Sequence, residues 1–81
     1  MIEQLYDVYR NDVYHFSLYI TNNKQKAEDI TQETFIKVMK NLHHLKDENK
    51  RKTWLMSIAL NTATALKRKR KLINFLPQLL N

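Results

Sequence analysis

Cysteine and glycine are absent from this 81-residue chain, and proline occurs once, at Pro77. Without cysteine there is no disulfide framework and no thiolate zinc site. That fits a reducing compartment. Without glycine the tight turns of hairpins and barrels lose their usual residue. Helices joined by Asn- and Asp-bearing loops need none, so an all-α fold is expected. No apolar run nears the roughly 20 residues that span a bilayer. The N-terminus carries Glu3 and Asp7 and has no basic-then-apolar signal segment. A soluble, intracellular protein of one domain is expected.

Acidic residues are also missing, but only from one end. None follows Glu48, whereas eight Lys or Arg lie from Lys50 onward. Before Lys50 the balance is six basic against eight acidic. A positive field confined to one end is the footprint of a surface that meets phosphates or another polyanion. The acidic part serves either solubility or a second, basic partner.

Three amphipathic helices follow from the periodicity. Ile2, Leu5, Tyr9, Val13, Phe16 and Ile20 recur at three or four over about 2–20, with Tyr6, Tyr14 and Tyr19 widening that face. Thr21-Asn22-Asn23 breaks the pattern, and Asn both tolerates left-handed backbone and caps helices. Ala27, Ile30, Thr31, Phe35, Val38 and Leu42 line a second helix over about 24–42. A polar loop from His43 to Lys50 offers Asp47 and Asn49 as caps for the next helix. The third helix covers about 50–72, with Trp54, Leu55, Ile58, Ala59, Thr62 and Leu66 inward and Ser57, Asn61, Thr64 and Arg68 opposite. The apolar tail from Leu72 holds Pro77 and reads as a further short helix or the start of a linker.

Catalysis and metal binding find no support. His15, His43 and His44 form no H-x-x-x-H pair, and no Gly-rich phosphate loop exists. No cofactor and no small-molecule substrate are expected. Two helix faces remain. On the second helix Asp29, Gln32, Glu33, Ile36, Lys37 and Lys40 share the outer side. An ordinary solvated face is one reading. The other is a helix-docking site, in which carboxylates accept forked bonds from Arg around an apolar anchor. On the third helix Lys50, Arg51 and Lys52 stand at the start and Lys67 to Lys71 at the end. Basic ends can hold a nucleic-acid backbone while Asn61 and neighbouring hydroxyls read base edges. A solvated helix end and a nuclear-localisation tag are the plainer readings of the basic run. Trp54 shares a face with Leu55 and Ile58 and so belongs to the core, with base stacking as its other use.

The stretch Ala27-Glu28-Asp29-Ile30-Thr31-Gln32-Glu33-Thr34-Phe35-Ile36-Lys37-Val38 resembles the region 2.2 helix of bacterial extracytoplasmic-function (ECF) sigma factors. Thr53-Trp54-Leu55-Met56-Ser57-Ile58-Ala59-Leu60-Asn61-Thr62-Ala63 and the basic run resemble regions 2.3 and 2.4. Leu5-Tyr6, Tyr9, Val13-Tyr14 and Phe16 resemble region 2.1, so the match spans about residues 3–71. The resemblance implies a compact all-α sigma-2 domain of three to four helices over 1–72, with 73–81 beginning a linker or tail. It implies docking on the β′ clamp helices of the RNA polymerase core through Asp29, Gln32 and Glu33, with Ile36, Lys37 and Lys40 beside them. It also implies recognition and melting of the promoter −10 element through its non-template strand. The residues for that role are Lys50, Arg51, Lys52, Ser57, Asn61, Thr64, Lys67, Arg68 and Arg70. An anti-sigma factor and a separate sigma-4 chain are implied partners, and the bacterial cytoplasm the implied location. Ser57 departs from a basic residue common in the family, and Thr64-Ala65-Leu66 from an apolar-Asp/Asn-aromatic step. A basic helical nucleic-acid adaptor or a regulator-binding module, neither engaging polymerase, is the alternative.

Overall fold

The computed structural model describes the backbone of residues 2–80 and the side chains of residues 4–67. Three α-helices are present: α1 (Ile2–Thr21), α2 (Lys24–Asn41) and α3 (Arg51–Leu80). No strand occurs among the described residues. The expected all-α architecture is therefore the observed one.

The turn between α1 and α2 is made by asparagine in place of glycine. Asn22 holds a left-handed backbone, φ 50°, and ends α1. Its N–H donates to the Leu18 carbonyl at 2.7 Å, closing the last helical turn. Asn23 then caps α2: its side-chain oxygen accepts from the Lys26 N–H at 3.0 Å. Two residues thus reverse the chain, and α2 packs back along α1. The expected polar loop contains two short 3₁₀ turns, Leu42–His44 and Glu48–Lys50. Asp47 caps the second of these, accepting from the Asn49 N–H at 3.0 Å. Asn49 therefore sits inside that turn and is not a cap.

Packing is tight because small and hydroxyl-bearing side chains lie at the helix contacts. Val13, Ile30, Val38 and Leu55 are the larger aliphatic groups fully buried, with Leu5 and Phe35 nearly so. Each such aliphatic side chain contributes about 1.5–3 kcal/mol on burial. Ala27, Ala59 and Ala63 let the backbones approach. Ser17, Thr31 and Thr62 are buried too, each donating its hydroxyl to the carbonyl four residues earlier at 2.7, 2.7 and 2.8 Å. That bond uses each hydroxyl's proton within its own helix, and Thr62 accepts in addition from Lys37 of α2. Thr34 is the exception: its Oγ1 is buried with no hydrogen-bond partner among the described residues.

Two expectations about the core are corrected. Tyr19 does not widen the buried face of α1 but stands 88% exposed. Its position on the wheel falls on the flank shared with Val8, which is exposed as well. Leu66 is not sealed inside α3 but is 36% exposed. Tyr6 is exposed on one side only. Its ring meets Phe35 edge-on at 5.0 Å while Arg10 lies over it at 5.6 Å.

The axial order follows from contacts at each end. Lys26 and Ile30 of α2 lie near Ala63 and Leu66 of α3, while Asn41 lies near Trp54. Leu5 and Tyr9 of α1 lie beside Arg51, and Ile20 beside Leu66. Hence α2 runs antiparallel to α1 and α3. An ion pair between Asp12 and Lys52 at 4.0 Å joins α1 to α3 at the surface. The third helix has 30 residues against 20 and 18 in its neighbours. Its backbone stays helical through Leu80, so the change of composition at Leu72 brings no break in the helix.

Candidate macromolecular interfaces

The outer face of α2 is built as its periodicity requires. Ala27, Ile30, Thr31, Thr34, Phe35 and Val38 face the core. Asp29, Gln32, Glu33 and Lys40 are consequently turned outward and exposed. Ile36 is 47% exposed among them, with Met39 beside it at 58%. Met39, three residues on from Ile36, continues the same row but was not singled out in the sequence. Gln25 donates to Asp29 at 3.4 Å, and Glu33 lies 4.0 Å from Lys37, both contacts being solvent-exposed. Neither contact occupies all the acceptor positions of its carboxylate. A basic side chain from outside can reach both acids.

Lys37 departs from this group. It lies at the edge of the face and leans toward α3, where its Nζ donates to Thr62 Oγ1 at 3.0 Å. Thr62 in turn donates to the Ile58 carbonyl. The bond pins α2 to α3 and carries a positive charge into the groove between them.

In that groove two rows face each other with the same spacing. Lys37, Asn41 and His44 come from α2 and the turn after it, and Trp54, Ile58 and Asn61 from α3. Both are i, i+4, i+7 rows, which fall on one side of a helix. Together they line an open hollow of about 280 Å³. Trp54 and Ile58 also pack against the core, so the indole serves the interior with one part and the hollow with another. The Asn41 amide donates to the Lys37 carbonyl at 2.9 Å. His43 lies against His44 with ring centroids 4.1 Å apart and the rings tilted by 40°. A planar aromatic wall with amide, imidazole and ammonium groups around it suits a nucleobase: stacking on one side, edge hydrogen bonds on the other.

Of the predicted nucleic-acid residues with described side chains, only Asn61 lines this hollow; Lys67 borders a different one farther along α3, and Arg51 lies beside Leu5 and Tyr9 of α1. Ser57, Asn61 and Thr64 form an i, i+4, i+7 strip, with Ser57 and Asn61 exposed and Thr64 half-buried. The hydroxyls of Ser57 and Thr64 donate to the Trp54 and Leu60 carbonyls at 2.6 and 2.8 Å, so toward a ligand they act as acceptors. Lys50, Arg51, Lys52 and Lys67 are exposed. The first three crowd the α3 N-terminus, where the helix dipole is already positive. The first turn of α3 holds no acidic residue, and of the three only Lys52 pairs with an acid among the described residues, Asp12 of α1 at 4.0 Å. An anion there relieves the repulsion. Arg68 and Arg70 lie outside the described side chains.

Asn41 was not singled out in the sequence as a site residue, and His44 was read only as part of the polar loop before the third helix. The signal was present as the continuation of the Lys37 row, but only the register of α2 against α3 shows what that row faces. Among the described residues no cluster of His and acidic side chains has the makings of a metal site. No described helix is long and apolar enough to cross a membrane.

Comparison with known proteins adds to this geometry. Residues 5–73 match the family model for sigma-70 region 2. The chain belongs to the sigma-70 region 2 family. It is 39% identical over 69 residues to the ECF RNA polymerase sigma factor SigX of Bacillus subtilis, covering 85% of this chain and 36% of that protein. It is 41% identical over 70 residues to SigM of the same organism, covering 86% and 42%. Similarity to SigW is 35% over 65 residues, covering 80% and 35%. This region 2 chain thus spans less than half the length of the curated relatives it matches. No solved structure matches it. The expected resemblance to ECF sigma factors is borne out by these relatives.

Proposed function

We propose that this domain acts as the region 2 module of an RNA polymerase sigma factor, bridging the core enzyme and an opened promoter strand. The observation that carries the reading is the separation of two exposed sets on adjoining helices. Asp29, Gln32 and Glu33 surround Ile36 on the outside of α2. Asn61, Trp54 and Lys37 border the hollow between α2 and α3. One set suits a basic protein helix, and the other suits a base taken out of its stack.

The first set binds the β′ clamp helices of the polymerase core, with Asp29 and Glu33 accepting from Arg or Lys and Ile36 and Met39 adding apolar contact. Lys40 at the end of α2 borders that contact. The second set holds the non-template strand of the −10 element. Lys50, Arg51, Lys52 and Lys67 track the phosphates, together with Arg68 and Arg70. A flipped base enters the hollow against Trp54 and is read by Asn61, with Ser57 and Thr64 accepting from neighbouring groups. Unpairing costs unstacking energy, and each captured base returns on the order of 1–3 kcal/mol. One or two bases therefore decide whether a bubble persists. The module is not an enzyme: it selects and opens sites for one. It works in the bacterial cytoplasm, where an anti-sigma factor is the natural competitor for the same faces.

The test is co-purification with polymerase core. Asp29→Arg is expected to abolish binding with the helical circular dichroism signal unchanged. Retained binding refutes the docking face. Affinity for single-stranded DNA with none for core, in the unsubstituted protein, instead supports a nucleic-acid adaptor independent of polymerase.

A further inference from the structure

A second hollow, larger than the first, lies at the opposite end of the α2–α3 groove. Its volume is about 460 Å³, in the range of sites that take a side chain or small ligand. Ile20, Ile30, Ala63 and Leu66 form its apolar lining, one residue from α1, one from α2 and two from α3. Asp29 and Glu33 stand on its α2 bank with Lys26, and Lys67 stands on the α3 bank. The two carboxylates proposed to receive the polymerase helix are therefore also the rim of an apolar cavity. Leu66, expected in the core, is left 36% exposed at its mouth.

Resting on the proposed docking of α2, we infer that the polymerase helix anchors itself by inserting a branched aliphatic side chain into this hollow. The continuity of hollow and docking face argues for the same occupant. Charge complementarity specifies its neighbours: a basic residue toward Asp29 and Glu33, and an acidic one toward Lys67. Buried apolar anchors ringed by polar contacts carry most of the affinity in such interfaces. The exposed carboxylates alone give orientation and encounter rate more than strength.

The experiment measures binding to RNA polymerase core with no DNA present. Leu66→Ala and Ile20→Ala each remove part of the lining while leaving Asp29, Gln32 and Glu33 untouched. Each is expected to weaken core binding by about tenfold, the equivalent of roughly 1.4 kcal/mol, with the thermal unfolding midpoint recorded to confirm folding. A photo-reactive benzophenone side chain placed at Leu66 is expected to cross-link to the clamp-helix subunit. If Asp29→Arg abolishes binding while both alanine variants bind as the parent does, the anchor is refuted and the docking face stands. If Asp29→Arg has no effect, the docking face falls and the anchor with it. A folded, core-bound protein that gives no cross-link from position 66 also overturns the inference.

Discussion

Replacing Lys37 by methionine tests the one side-chain hydrogen bond that joins α2 to α3 among the described residues. Methionine keeps the apolar stem that lies along the groove and removes the ammonium. Two contacts go with it. The bond to Thr62 Oγ1 at 3.0 Å is partly buried, and the contact to Glu33 at 4.0 Å is exposed. A partly buried bond from an ammonium to a hydroxyl contributes about 1–1.5 kcal/mol. An exposed i, i+4 ion pair contributes about 0.3–0.5 kcal/mol. Thr62 keeps its bond to the Ile58 carbonyl, so no buried hydroxyl is orphaned and no further penalty applies. The expected loss is about 1.5 kcal/mol, or roughly 6–12 °C in the midpoint of a domain this size. Equilibrium urea unfolding followed by circular dichroism measures it. The decisive form is a double-mutant cycle with Thr62→Val, for which a coupling of about 1 kcal/mol is expected. Coupling below about 0.3 kcal/mol means the bond is not held in solution, and the argument that Lys37 serves the α2–α3 groove fails.

Thr34→Val replaces a buried hydroxyl, unpartnered among the described residues, with a methyl of the same shape. It is expected to raise stability by about 1 kcal/mol, and a lowered unfolding midpoint contradicts the account of that site. Asn61→Ala is expected to relax base preference at one −10 position more than it weakens overall affinity. Measured on a panel of single-stranded oligonucleotides, an equal loss on every sequence assigns Asn61 to scaffold or backbone contact. Binding of the domain to single-stranded DNA is expected to weaken with salt at a log–log slope near −3, for about four neutralised phosphates. A flat titration removes Lys50, Arg51, Lys52 and Lys67 from the backbone contacts.

Much of the fold was legible before any coordinates. The lack of glycine and the three-or-four spacing of apolar residues pointed to helices, and Asn22-Asn23 to the turn between the first two. The structure has a left-handed residue and a cap at those positions. The outward set Asp29, Gln32 and Glu33 follows from the same spacing, since Ile30, Phe35 and Val38 take the inner side. Errors gathered where a residue sits near the edge of a face. Tyr19 is apolar enough to count as core but stands on an exposed flank of α1, and Leu66 faces its neighbours across an open hollow that leaves it 36% exposed. Ser17 and Thr34 show the reverse: both are fully buried, and only a close helix contact explains why.

The sequence by itself determined the helices, their caps and the sign of charge on each face, because those depend on contacts between residues a few positions apart. It determined the family as well, through two blocks of residues in one order. Tertiary structure alone decided what the faces enclose. The register of α2 against α3 places Lys37, Asn41 and His44 opposite Trp54, Ile58 and Asn61. The same register opens an apolar hollow under Asp29 and Glu33. Register is set by how small and large side chains from different helices interlock, and helical periodicity carries no record of that choice.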